Sequence, residues 1–450
     1  MVGVLTGIAL VIIAVLLFEL LILFHEGGHF LTAKKSGVQV NEFSLGMGPK
    51  IFGFKKGETQ YSFRLFPIGG YCAMEGEDDE SDNPRAFTNA KVWKRMIIIV
   101  AGAFMNIVLG LLMMFVLVVQ MPIFSSTTIS DFSANSYSAN CGLEKGDKIL
   151  KFNNYDIVTF QDLSFAVATM KPTKVDGHSV EIYKQDCANE LYNTLAVKVT
   201  DKKADYSEKT IEKAYSILLD GCNKVNQSNT KAQAKAQMET YYGKIQDTFG
   251  VENYKIPKIK EKDSRQRFRT DVIVERGNQV VTLKDVDLFT YLNTDEEKPS
   301  VSIDFYVEGI EKNFLTVLQQ TGLQTVSVVR MVWTSLAGLV TGQFSITDVS
   351  GPVGAATAIT KVASAGLENS FLSAFNNILY MMMLISINLG IFNMLPFPAL
   401  DGGRFLFLLI EAVFRKPISR KAEAVINSIG LGLLLVFIFL ITVKDIWQLF

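Results

Sequence analysis

The chain has 450 residues, of which 49% are hydrophobic and 20% charged, with a formal net charge of -1 and a mean hydropathy of +0.24. A half-apolar chain is not disordered, and a near-neutral one lacks the basic excess that a nucleic-acid binder uses to displace counterions. Hydropathy this far above that of ordinary soluble domains places some segments in lipid.

The first such segment is Val4 to Phe24, an apolar run broken only by Thr6, Gly7 and Glu19. About 20 apolar residues span a bilayer core as a helix. With no basic stretch before it and no small-residue cleavage site after it, the run reads as a first span (residues 1–36) and not as a signal peptide. Residues 37–90 follow, in which Glu42 to Met74 alternates apolar and aromatic side chains around Gly-Lys turns. This predicts β-hairpins dipping into one membrane face. A second span, Met96 to Met121 (residues 91–121), comes after Lys91, Lys94 and Arg95.

The segment Pro122 to Asn376 is mostly polar and reads as a soluble domain with an interruption. Ile149, Leu150 and Phe152 belong to a strand, and a helix starts at Thr159 or Gln161 (residues 122–200). Matching strands flank a Gly277-Asn278 turn (residues 266–311). Between them lies a helical insertion (residues 201–265), whose Lys, Glu, Ala and Gln content suggests two helices separated near Asn226 to Asn229. In residues 312–375, Phe314 to Phe344 is apolar but interrupted by Gln319, Gln320, Gln324 and Arg330. It is expected to lie on the outer face as an amphipathic helix. A third span from Asn377 ends at Leu395, before Pro396 and Pro398 (residues 376–414). The fourth, Val425 to Val443, follows Arg415, Lys416, Arg420 and Lys421 (residues 415–450).

Basic residues follow the first span at Lys34 and Lys35, precede the second, and separate the third from the fourth. The positive-inside rule makes these places cytoplasmic. Both termini and the long polar segment then lie outside the cytoplasm of a multi-pass protein in the cell (inner or plasma) membrane. The expected fold is an α-helical polytopic membrane protein of about four spans, with a membrane-associated β-hairpin region on the cytoplasmic face and an outer α+β domain carrying a helical insertion. Among the four cysteines a Cys187 to Cys222 disulfide is possible.

His25, Glu26 and His29 form H-E-x-x-H at the end of the first span. Helix positions four apart share a face, so both imidazoles can bind one zinc while Glu26 takes a proton from metal-bound water. The bland reading is a pair of interfacial histidines, but an ionisable cluster within a membrane helix is costly unless it has a function. Zinc needs a third protein ligand. His178, the one other histidine, belongs to the outer segment. A carboxylate at matching depth is the better candidate, and Asp401 in NMLPFPALDGG fits. Its alternative role is to start the Phe405 to Phe414 helix.

These residues carry a resemblance. HEGGH, together with Asn393, Pro396, Pro398, Leu400, Asp401 and Gly402 in an N-x-x-P-x-P-x-L-D-G pattern, resembles the site-2 protease family of intramembrane zinc metalloproteases. The bacterial branch with an extracytoplasmic PDZ domain, of the regulator of sigma-E protease type, is the most similar. Gly69, Gly70 and Tyr71 in PIGGYCAMEGE, Gly102 and Asn106 in G-x-x-x-N, AxxGLxxGDxI (Ala139 to Ile149) and SGPVG (Ser350 to Gly354) agree with it. Ala103 departs from the proline that many members carry after the glycine.

The resemblance implies that His25, His29 and Asp401 bind zinc and that Glu26 is the catalytic base. It implies hydrolysis of peptide bonds within transmembrane segments of anti-sigma factors or signal-peptide remnants, and a PDZ-like outer domain that receives a peptide or a trimmed substrate end. In the family the residue matching Asn393 holds the substrate; an interhelical bond to Asn106 or Asn388 is its other possible role. Gly70 and Tyr71 are substrate-binding candidates, since a strand edge in the hairpin region can take up an unwound substrate as a further strand; the alternative is a hairpin that merely packs against the spans. Glu19, seven residues before Glu26, shares its face. The implied partners are transmembrane substrates and the lipid bilayer, and no nucleic acid. A zinc-dependent transporter or sensor, which would not need Glu26, and a membrane-anchored peptide-binding scaffold are the rival classes.

Overall fold

The structure is a computed structural model, described here for residues 2–77, 81–134, 136–200, 206–259, 264–292, 299–345, 349–416 and 418–448. In chain order it runs α1 (Val2–Ser36), β1 (Val40–Lys56), β2 (Thr59–Met74) and α2 (Val92–Gln120). Then come β3 (Ile123–Phe132), α3 (Tyr137–Asn140), β4 (Lys148–Phe152), β5 (Tyr155–Asp156), α4 (Phe160–Ala168), β6 (Thr173–Asp176), α5 (Val180–Thr200), α6 (Glu208–Asn226) and α7 (Lys231–Thr248). The remainder is β7 (Ser264–Arg276), β8 (Gln279–Leu292), β9 (Pro299–Ser302), β10 (Phe305–Glu311), α8 (Phe314–Val340), α9 (Pro352–Leu367), α10 (Phe371–Asn393), α11 (Asp401–Phe414) and α12 (Arg420–Trp447). The chain divides into a helical unit, residues 1–122 with 312–450, and a sheet unit, residues 123–311.

In the helical unit, five helices among the described residues are long and apolar enough to cross a membrane: residues 8–36, 92–120, 314–340, 371–393 and 421–447. Four of these coincide with the spans expected from hydropathy. The fifth is α8, expected on the outer face; by length and composition it qualifies as a span as well. Its polar residues Gln320, Thr321, Gln324, Thr325 and Ser327 are buried, and α8 packs against α2 and α10. Of the polar interruptions that read as a wet helix face, Gln320 and Gln324 are turned into protein, whereas Gln319 is exposed and Arg330 half-buried. Helix α2 is the hub. Gly28 of α1 lies against the Ala101 carbonyl and Gly390 of α10 against the Ala103 carbonyl, the small-residue contact by which helices approach closely in lipid. Glycines of SGPVG start α9, where the N–H groups of Gly351 and Gly354 donate to Asp445 Oδ2 of α12 at 2.8 and 2.7 Å.

The expected hairpin region is the antiparallel pair β1–β2. Residues 42–45 of β1 face 60–63 of β2 on one side and 70–73 on the other. The Gly70–Met74 stretch thus pairs through one of its edges. Val40, Cys72 and Met74 pack beneath Ala33, Phe87 and Ile98, whereas Phe52, Phe54, Phe63 and Phe66 are exposed beside Lys50, Lys55 and Lys56.

The sheet unit has the strand order β10-β3-β4-β7-β8-β9, all pairs antiparallel. Ile149, Phe152, Leu163, Val272, Val274 and Val286 form its core. The turn between β7 and β8 has Gly277 and Asn278 at φ 52° and 65°, the double left-handed geometry of a tight hairpin. Thr159 caps α4 in a reciprocal box with Asp162. Helices α6 and α7 match the two expected around Asn226 to Asn229. A third, α5, precedes them from Val180, because Ile182, Cys187, Leu191 and Leu195 form a buried stripe at helical spacing. The boundary at 201 drawn from composition lies outside the described residues. All four cysteines are free, with Cys187 and Cys222 buried in the core of the three-helix bundle.

Candidate metal centre

Helix α1 carries His25, Glu26 and His29 on consecutive turns, and their surroundings come from elements distant in sequence. His29 is buried, with Nδ1 2.8 Å from the Ile98 carbonyl of α2. His25 Nδ1 lies 3.3 Å from the side-chain amide of Asn106, also on α2. The two rings stand edge to face, and this brings Nε2 of one to 3.3 Å from Nε2 of the other.

The third group arrives through a break in the helical path. Helix α10 ends at Asn393, and Pro396 and Pro398 stop its continuation. The chain turns, with Ala399 at φ 73°, and restarts as α11 at Asp401. Gly402 is required at this return, because a Cβ there would lie 2.2 Å from the Leu395 carbonyl. Asp401 Oδ2 consequently stands 3.3 Å from His25 Nε2 and 3.4 Å from His29 Nε2. It is buried and meets no hydrogen-bond donor of sound geometry.

Three donor atoms at mutual distances of 3.3, 3.3 and 3.4 Å are the edges of a tetrahedral site. Zinc bonded to nitrogen and oxygen at about 2.0–2.1 Å has ligand–ligand separations of about 3.3–3.4 Å. An otherwise orphaned carboxylate oxygen between two imidazole nitrogens fits the same ion. The three groups are the metal-capable cluster found among the described residues. His178 is not part of it and sits in the sheet unit.

The remaining expected site residues converge here to different degrees. Glu26 lines the same cavity, of about 370 Å³, with His25, His29, Tyr71, Asp401 and Arg404. Cys72 of β2 lines the cavity beside it. Gly70 lies alongside, where a Cβ would stand 3.7 Å from Glu26 Cγ and 2.8 Å from the Ser44 carbonyl. Tyr71 lines the cavity, with its hydroxyl accepting from Arg64 Nη2 at 2.6 Å. Asn393 Nδ2 is 3.4 Å from His25 Nε2. Glu19 is buried with neither carboxylate oxygen partnered, and does not line the cavity.

Residues not singled out from sequence complete the site. Arg404 pairs with Glu77 at the cavity wall, and both also line an adjoining charged cavity with Arg95 and Glu411. Cys72 lines the cavity from β2. The ligand nitrogens rest against Gly102 of α2, which at 1.5 Å per residue lies about 15 Å from the N-terminal end of that helix and about 27 Å from its C-terminal end.

The model of peptidase family M50 matches residues 13–437. The chain belongs to peptidase family M50. This is the site-2 protease family that HEGGH and LDG resemble. A protein of Clostridium acetobutylicum named as a zinc metalloprotease is 31% identical over 97% of both chains. A similarly named protein of Clostridium perfringens is 30% identical over 97% of this chain and 98% of its own. The regulator of sigma-W protease RasP of Bacillus subtilis is 29% identical over 98% of this chain and 99% of its own. The peptidase is thus a multi-pass membrane enzyme of a zinc metalloprotease family, and its three-donor cluster has the geometry that zinc requires.

Proposed function

We propose that the peptidase hydrolyses peptide bonds within the membrane-spanning segments of other proteins, with His25, His29 and Asp401 holding zinc and Glu26 as general base. The observation that carries this reading is depth. The donors rest against Gly102 of α2, about 15 Å inside the N-terminal end of that helix, among helices long enough to cross the bilayer. Bound zinc would acidify its water and polarise the scissile carbonyl. Glu26 accepts the proton and returns it to the departing amine.

An unwound substrate needs partners for its freed backbone groups. The Gly70–Met74 stretch pairs with β1 through one edge, and its position along the cavity with Glu26 supports strand addition of the substrate there. Asn393 and Tyr71 line or approach the same space and take the roles of substrate contacts. Anti-sigma factors and signal-peptide remnants are the substrate classes in view, the first because a relative is named a regulator of sigma-W protease. The sheet unit is read as a PDZ-like module for a trimmed substrate end.

Four full crossings, with both termini outside the cytoplasm, agree with the basic clusters and with the path of the chain around α8. Lys312 Nζ, just before α8, donates to the Val119 carbonyl at the end of α2. Phe344 folds back onto the Gly338 carbonyl, and the Val349 carbonyl is held by Lys444 near the end of α12. A straight crossing by 27 residues would cover about 40 Å. The five residues from Phe344 to Val349 reach at most about 18 Å, which keeps the C-terminal end of α8 within that reach of the Lys444 contact near the end of α12.

The test is a Glu26→Gln enzyme assayed in lipid vesicles beside His25→Ala and Asp401→Ala. The expected outcome is full zinc content without cleavage for Glu26→Gln, and loss of both for the ligand variants. Undiminished cleavage by Glu26→Gln would falsify the protease reading.

A further inference from the structure

We infer that Asn106 is a positioning residue for the metal centre: its amide oxygen accepts the Nδ1 hydrogen of His25, fixing the tautomer that leaves Nε2 free to bind zinc. The inference rests on the zinc reading above.

The two histidines are oriented from behind by different groups. Behind His29 stands the Ile98 carbonyl, 2.8 Å from Nδ1. A carbonyl only accepts, so His29 carries its hydrogen on Nδ1 and presents an Nε2 lone pair. The same requirement holds for His25, because a nitrogen bearing hydrogen cannot ligate a metal. The group that meets His25 Nδ1 is the Asn106 amide at 3.3 Å. With Nδ2 facing the ring, as placed, Nδ1 would have to accept and Nε2 would carry the hydrogen. Turning the planar amide by 180° leaves its shape unchanged and exchanges Nδ2 for Oδ1. Oδ1 has no hydrogen-bond partner where it stands, so the turn breaks no bond at that end and supplies the acceptor that His25 needs.

The position is built to hold this side chain. Asn106 is fully buried. Its backbone carbonyl accepts from Ser386 Oγ of α10 at 2.7 Å, and Gly390 of α10 leaves room beside it, where a Cβ would stand 3.5 Å from Asn106 Cβ. An amide in a dry helix interface could serve only to join α2 to α1. That role predicts no change in metal affinity once the helices are packed, whereas the positioning role predicts one.

The experiment titrates zinc, against a competing chelator, into metal-stripped full-length protein carrying Asn106→Leu or Asn106→Asp, with the thermal unfolding of each metal-free protein measured in parallel. Leucine keeps the volume and removes the acceptor; aspartate keeps the acceptor and removes the donor. We expect Asn106→Leu to bind zinc about 10–100-fold more weakly than wild type, the usual effect of losing a group behind a ligand, and Asn106→Asp to bind as tightly or more tightly. Zinc binding by Asn106→Leu at wild-type affinity overturns the proposal. So does an equal loss in Asn106→Asp, which also decides the matter if the leucine variant fails to fold. His25→Ala is titrated alongside. Unchanged affinity in that variant would show the zinc reading itself to be wrong, independently of Asn106.

Discussion

Gly102 of α2 and His29 of α1 touch so closely that no side chain fits between them. A Cβ on Gly102 would stand 2.3 Å from His29 Nε2 and 2.9 Å from His25 Cε1. The bare backbone of α2 is therefore the floor on which both imidazoles rest. Gly102→Ala should push the rings out of their 3.3 Å approach and lower zinc affinity at least about tenfold. Gly27, where a Cβ would meet nothing within 4 Å, should accept alanine with zinc affinity unchanged. Zinc per polypeptide, measured on both purified proteins after dialysis against a fixed free-zinc concentration, checks the pair.

A second prediction concerns the aspartate of the AxxGLxxGDxI pattern. Asp147 is fully buried and receives Arg276 through two bonds, Nε to Oδ1 and Nη2 to Oδ2, each 2.7 Å. Arg276 also reaches the Gly142 carbonyl and Glu144. The planar fork of arginine makes all of these at once, and lysine cannot. Arg276→Met leaves the buried Asp147 carboxylate with the Glu144 N–H but without its cation, and should destabilise the sheet unit by about 1–3 kcal/mol, with Arg276→Lys costing less. Hydrogen exchange of the backbone amides in β4 and β7 is the readout; unchanged protection in Arg276→Met would refute the assignment.

The three groups that the structure brings together as a metal-capable cluster were legible in the sequence because the pattern is local. His25 and His29 are one helical turn apart, and Asp401 is marked by the prolines and glycines that bend the chain around it. What supports them was not. Ile98, Gly102 and Asn106 meet the histidines across a helix crossing, and Gly102 and Asn106 gave only a spacing pattern, silent about which element they face. The burial of Gln320 and Gln324 in α8 was hidden by the same limit, since polar residues on an apolar helix look alike whether they face water or α2 and α10. Helix α5 was hidden because its apolar stripe is narrow and its composition merges with the preceding strands.

The bundle core holds two cysteines as free thiols. Cys187 and Cys222 are fully buried, and burial pushes each thiol up to about 12. Thiols so far above neutrality are almost wholly protonated and react slowly. Both should resist iodoacetamide in the native protein at neutral pH and become labelled in denaturant without reductant, as mapped by mass spectrometry. Labelling that required reductant would instead reveal a disulfide between them.

At the turn of the β1–β2 hairpin, Glu58 accepts from Arg85 Nη1 and from Lys34 Nζ, each at 2.5 Å. The Arg85 guanidinium, followed by the Lys34 ammonium, holds the Glu58 carboxyl well down from its ordinary 4.5, to about 2. An acid whose pKa is depressed by folding stabilises the fold above its unfolded value, and that stability is lost as pH falls through the folded value. The contribution is therefore complete at neutral pH and disappears between about pH 4.5 and 2. Glu58 retains about a quarter of its side-chain exposure, so solvent screening limits the contribution to about 0.5–1 kcal/mol. Glu58→Gln should accordingly unfold at a lower temperature than wild type at pH 7 and in low salt, with the gap shrinking in high salt and closing as the pH approaches 2. A gap that persisted undiminished below pH 3 would mean that the glutamate acts through packing and not through its charge.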